Sequence, residues 1–153
     1  MKRNIGFLTA LLSILMLGVI WGNSLQPATA SDAVSLGLLA RIQESFFSVF
    51  GTDLPLSNHI LRKMGHLSEF FLLGFFLTQA VSLLKQSRGS ALPLSLYLGL
   101  LTAVLDETIQ SVVPGRGPMV TDVLIDHTGF VLGLLLANWI CVRFFKTGRR
   151  YRH

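Results

Sequence analysis

The sequence predicts an all-α integral membrane protein: a bundle of four spanning helices, with an amphipathic helix on its outer face between the first and second spans. Three observations predict it. Of 153 residues, 51% are hydrophobic and 14% charged, whereas a soluble domain carries roughly 25% charged residues. Apolar runs at 5–21, 67–84, 92–109 and 123–145 each come close to the roughly 20 residues that a helical span needs. The basic residues also sort by connection. Lys2, Arg3, Lys85, Arg88, Arg143, Lys146, Arg149, Arg150 and Arg152, nine of the 13 Lys and Arg, fall at the two ends and between the second and third runs. The positive-inside rule makes that side cytoplasmic and puts both termini inside. The length allows one domain, residues 1–153.

The first run has a competing reading. Lys2 and Arg3, an apolar core and then Ala28-Thr29-Ala30 resemble a secretory signal with a small-residue cleavage site. The core, about 17 residues, is longer than the usual 7–15 of such signals. Trp21 is suited to anchor at the interface, so a retained helix is expected. The connection from Gly22 to Leu61 is long, and its first part, GNSLQPATASD, is polar and turn-rich. Leu36, Leu39, Ile42, Phe46, Val49 and Phe50 then recur at helical spacing, with Arg41, Glu44, Ser45 and Ser48 between them. An amphipathic helix over about 35–50 follows, lying on the outer membrane surface or capping the bundle. Thr52–Pro55 ends it, and Ser57 or Asn58 caps a helix that enters the membrane near His66.

The remaining three spans carry ionisable groups at their outer ends. His66 and Glu69 start the second span, Asp106, Glu107 and Gln110 end the third, and Asp122, Asp126 and His127 start the fourth. Three segments thus bring such groups to one membrane depth, where they are expensive and usually functional. Gly99, Ala103, Asp106 and Gln110 share one helical face, as do Asp122, Asp126, Gly129, Gly133 and Ala137. Small residues let membrane helices approach closely, so these faces point into the bundle. His66 and Glu69, three residues apart, are neighbours on a third face.

The candidate acid/base groups are therefore Glu69, Asp106, Glu107 and His66. The candidate substrate or anion contacts are Arg116, Lys63, Gln110, Asp122 and Asp126. Each has a plainer reading: Asp122 as a helix cap, Lys63 snorkelling to headgroups, Gln110 bonding a helix end, Arg116 an exposed tip between Pro114-Gly115 and Gly117-Pro118. His59 and His127 read as structural. Three chemistries fit the cluster. Carboxylates act as acid and base beside an arginine that holds an anionic headgroup or phosphate; His66, Glu69 and some of the aspartates bind a divalent metal; or the charges pair into a network that locks the helices. No cofactor is required, and metal is the weaker alternative. The net charge of +5 is a topology signal rather than a nucleic-acid footprint, and the one cysteine, Cys141, allows no disulfide within the chain.

WGNSLQP after the first run, RKMGHLSEFFLLGFF entering the second and LDETIQSVVPGRGPMVTDVLIDHTGFVLG across the third and fourth resemble the VanZ-like family of small bacterial membrane proteins. The distinctive element is the series D-E-x-x-Q … P-G-R … D-x-x-x-[ND]. Lys63, His66, Glu69, Asp106, Glu107, Gln110, Pro114, Gly115, Arg116, Asp122 and Gly129 match the family pattern; Asp126 departs from it, since the family usually has Asn there. The resemblance implies a multi-pass bundle of four helices in the bacterial cytoplasmic membrane. It also implies an association, through the name-giving member, with reduced susceptibility to the glycopeptide teicoplanin. The expected function is the handling or modification of a lipid-linked or cell-wall component on the outer side, with membrane lipids as further partners. The alternative is a non-enzymatic binding or scaffold protein, and kinship of fold does not decide between them.

Overall fold

The computed structural model of the protein describes residues 2–84 and 88–145 and is helical throughout, with five helices: α1 (Lys2–Ser24), α2 (Ala28–Phe50), α3 (Asn58–Leu84), α4 (Arg88–Ser111) and α5 (Val120–Phe145). By length and composition all five are long and apolar enough to cross a membrane. The four predicted spans fall within α1, α3, α4 and α5. Lys85, Lys146, Arg149, Arg150 and Arg152, which carry much of the charge asymmetry, lie outside the described residues.

α2 is longer than the sequence reading allowed, beginning at Ala28 rather than near residue 35. Pro27 holds Gln26 away from helical geometry and so separates α2 from α1. Its carbonyl then accepts hydrogen bonds from the Ala30 and Ser31 N–H groups, both at 3.1 Å. Ala28, Ala30 and Ala33 are strong helix formers, and they outweigh the polar residues between them. Gly51, in the left-handed region at φ 68°, ends the helix, donating its N–H to the Phe47 carbonyl at 2.8 Å. The face turned to the rest of the protein holds Asp32, Ser35, Leu39, Ile42 and Phe46. Leu36, Val49 and Phe50, expected on that stripe, are exposed.

α3 is the central element and packs against every other helix, while α4 also packs against α1 and α5. Its start is capped by the Ser57 hydroxyl, which accepts from the Ile60 N–H at 3.3 Å. Ile20, Phe70, Leu73, Ala103, Phe130 and Leu134 form the core. Trp21 leans on it, so its ring turns partly into the protein. α3 and α5 run parallel at very short range: Gly129 lies against the Leu67 carbonyl, Gly133 against the Phe71 carbonyl, and Gly74 against the Phe130 carbonyl. α1 runs the other way, with Gly6 against Leu83 and Leu84 and Asn23 bonded to Glu69. Consequently the ends of α1 and α4 meet the starts of α3 and α5 at one end of the molecule. Large apolar side chains such as Phe7, Leu11 and Ile14 on α1 and Leu132, Leu135 and Trp139 on α5 are exposed, the kind of surface that faces lipid.

Candidate functional site

Of the ionisable residues predicted to share one depth, His66, Asp106 and Asp126 meet, and four helices build their surroundings. α4 supplies Asp106, fully buried, on the face it shares with Ala103 and Gln110. Its Oδ1 accepts from the Ser24 hydroxyl of α1 at 2.5 Å, and its Oδ2 from the Gln110 side-chain amide at 2.8 Å. α5 supplies Asp126, 1% exposed. α3 supplies His66, whose Nδ1 is 3.5 Å from Asp126 Oδ1 and 3.9 Å from Asp106 Oδ2. The close α3–α5 packing at Gly129 holds Asp126 this near to His66, because a larger residue there would part the two helices. Neither Asp126 oxygen has a hydrogen-bond partner among the described residues. One ligand atom from each of His66, Asp106 and Asp126 lies within 4.8 Å of the others, so this trio could hold a metal ion.

The other candidates surround the trio. Glu69 accepts from the Asn23 side-chain amide at 2.7 Å. Lys63 pairs with Asp122, joining the starts of α3 and α5. Glu107 accepts from the Met119 N–H just before α5, while its other oxygen, buried, has no partner among the described residues. Its visible contact is therefore an anchor for the α4–α5 loop. Arg116, in that loop, folds back and donates to the Asn23 carbonyl at 3.1 Å. Its Nε is buried without a partner among the described residues. Burial lowers the Arg116 guanidinium from its usual pKa, and Arg62 lowers it further, against the opposing pull of Asp106, Asp32 and Glu107. His127 lies parallel to the Phe130 ring at 6.4 Å, consistent with a packing role.

A cavity of about 210 Å³ adjoins His66, lined among others by Arg62, Lys63, His66, Gln110, Arg116 and Asp122. His59 is also on its wall. The loop forming one side is stitched to the junction of α1 and α2: the Ala28 N–H donates to the Pro114 carbonyl at 3.3 Å. Gly115 there has φ 78° and lies close to Ala28. That left-handed geometry is what a glycine is needed for.

Asn23, Ser24 and the Arg62–Asp32 pair, 2.7 Å apart, were not singled out from the sequence. The first two are neutral, and a search for charges passes over them. The signal was present nonetheless, as two hydrogen-bonding side chains at the end of an otherwise apolar run, the same end as the acidic groups.

The VanZ/LLP1 family profile matches residues 8–142. The chain belongs to the VanZ/LLP1 family. No curated protein and no solved structure matches it. The matched stretch of this VanZ/LLP1 protein contains every site residue, from Asn23 on α1 to Asp126 on α5. α1 supplies Asn23 and Ser24 to the site. Ala28–Ala30, the residues that resemble a cleavage site, form the first turn of α2.

Proposed function

We propose that the protein handles an anionic group of a lipid-linked or cell-wall component at the outer face of the bacterial cytoplasmic membrane, with an effect on glycopeptide (teicoplanin) susceptibility. The observation that carries this reading is the cavity itself. Arg62, Lys63 and Arg116 line it, and the Arg116 Nε is buried with no acceptor among the described residues. A desolvated guanidinium short of an acceptor favours an anion, and its fork matches a phosphate or carboxylate. Arg116 and Lys63 are the anion contacts. His66 stands between the cavity and the buried Asp106 and Asp126, a position suited to carrying or orienting a proton. Glu69 supports it from the same helix face.

In this reading α1, α3, α4 and α5 span the membrane and α2 lies on the outer surface, with both termini inside. Two contacts support that placement of α2. Asp32 pairs with Arg62, and the Gln43 amide donates to the Leu56 carbonyl at 3.5 Å. These run α2 antiparallel to the start of α3, which projects past the end of α1 because Asn23 already meets Glu69. Reporter fusions after Thr52 and after Pro114 are expected on the outer side and a fusion after Lys85 on the inner side. A fusion after Thr52 that reports the inside would mean that α2 crosses.

The ligand reading is tested by mass spectrometry of lipids that co-purify with wild type and with Arg116→Ala. A phosphate-bearing lipid retained by wild type and depleted in the variant is expected; equal retention would contradict the reading. A second reading, a non-enzymatic scaffold, is supported by the mutual pairing of Lys63 with Asp122, Arg62 with Asp32 and Glu69 with Asn23. On that reading Arg116→Ala lowers stability and leaves lipid composition unchanged.

A further inference from the structure

We propose that His66, Asp106 and Asp126 bind a divalent first-row transition cation, of the Zn2+ or Mn2+ kind, behind the cavity wall that His66 forms. The inference goes beyond the anion-handling reading and does not depend on its anion contacts; with an ion bound, His66 serves as a ligand in place of a proton carrier. Its starting point is Asp126. This carboxylate is 1% exposed, and among the described residues neither oxygen accepts a hydrogen bond. A buried carboxylate needs a hydrogen-bond donor, a counter-charge or a metal. Lys63 is engaged with Asp122 and Arg62 with Asp32, so the partner Asp126 faces is His66, an imidazole that supplies a counter-charge only when protonated.

What Asp126 does face is a set of donor atoms. His66 Nδ1 is 3.5 Å from Asp126 Oδ1 and 3.9 Å from Asp106 Oδ2, and one atom from each residue lies within 4.8 Å of the others. Metal–ligand bonds of about 2.0–2.2 Å set donor atoms roughly 3.0–3.5 Å apart, so the trio closes on an ion with a modest inward shift. His66 Nδ1 likewise lacks a hydrogen-bond partner among the described residues.

Second, the partners of Asp106 have the arrangement that surrounds metal ligands. Ser24 holds Oδ1 and Gln110 holds Oδ2, and each oxygen keeps a lone pair for an ion. Such outer partners fix the orientation of a ligating carboxylate. Third, charge and ligand type agree. Two carboxylates balance a doubly charged ion. An imidazole nitrogen among them suits Zn2+ or Mn2+ better than Ca2+ or Mg2+, which take oxygen ligands. Three protein ligands would leave a coordination position for water or a ligand, and His66 is the member of the trio on the cavity wall.

The test uses the full chain in detergent, stripped with a chelator and titrated with ZnCl2 by calorimetry and with Co2+ by visible absorption. One equivalent per chain is expected, with Co2+ d–d bands that Zn2+ displaces. Asp126→Asn and His66→Gln are expected to weaken binding at least about 100-fold, and Ser24→Ala about 10-fold or more, as for an outer partner. Glu44→Gln, an exposed acid on α2, is expected to bind as wild type. Helical circular dichroism and monodisperse elution establish that each variant is folded; if Asp126→Asn is not, His66→Gln gives the same reading. Absence of saturable binding in wild type, or unchanged affinity in the folded ligand variants, would overturn the proposal and leave the trio as a proton-sharing group.

Discussion

Gly129→Ala is a one-methyl change with a large expected effect. A Cβ at this position would meet the backbone of α3, at 3.1 Å from the Leu67 carbonyl carbon and 3.2 Å from its Cα, with the carbonyl oxygen nearer still. Ordinary carbon contacts are about 3.5–4.0 Å. The obstacle is backbone, which cannot rotate away as a side chain would. α3 and α5 must therefore part by roughly an ångström, a gap that forfeits about a quarter to a half of the dispersion energy of each facing atom pair. Overpacking typically costs about 1–3 kcal/mol, and an unyielding neighbour puts this case near 3, about a hundredfold in the folding equilibrium. Leu67 follows His66, and Gly129 is three residues after Asp126, so the same separation widens the trio. The assay is unfolding in mixed detergent micelles, with Gly18→Ala as control because nothing lies within 4 Å of a Cβ there. If Gly129→Ala unfolds at the wild-type midpoint, the close α3–α5 packing described above is wrong.

Ser24→Ala removes a donor from the buried Asp106 carboxylate and is expected to destabilise by about 1.5–3 kcal/mol, as for a hydrogen bond to a charged group, read from the same unfolding curves. Asp32→Asn breaks a pair whose side chains are 31% and 42% exposed, so no more than about 1 kcal/mol should be lost; a larger loss would mean that α2 is held chiefly by this contact. Glu107→Gln keeps an oxygen able to accept from Met119 and should insert and fold normally, losing about 1 kcal/mol. If it instead abolishes a susceptibility phenotype at equal membrane abundance, Glu107 acts chemically and not only as an anchor.

Much of this site was legible in the sequence because helical periodicity and membrane depth are both visible there. Asp106 with Ala103 and Gln110, and Asp126 with Gly129 and Gly133, lie on the faces their spacing assigned, since glycine and alanine mark where backbones touch. The Ser57 cap was readable from the residue types favoured at a helix start. The reach of α2 was not, because Ala28–Val34 mixes helix formers with polar residues and only the proline boundary decides where the helix starts. Nor did the sequence show how the charges are divided. Lys63 choosing Asp122, Arg62 choosing Asp32 and Glu107 turning to a backbone N–H depend on side-chain directions that spacing alone leaves open. Asn23 and Ser24 show the cost of seeking only charges near a membrane boundary: the groups that orient the carboxylates are neutral.

The trio is assembled from α3, α4 and α5 and braced by α1, which has a consequence for biosynthesis. A chain made from its amino end delivers Ser24, His66 and Asp106 to the membrane before Asp126 has been translated. An acidic residue at a helix centre opposes insertion by about 2.5–3.5 kcal/mol; Asp106, near the end of α4, meets a smaller cost, which Ser24 of α1 and His66 of α3 offset once they are in place. The last helix then completes the polar layer as Gly129 and Gly133 dock on α3. A nascent chain stopped before α5 would leave His66 and Asp106 without the helix that supplies Asp126 and the Gly129 and Gly133 contacts.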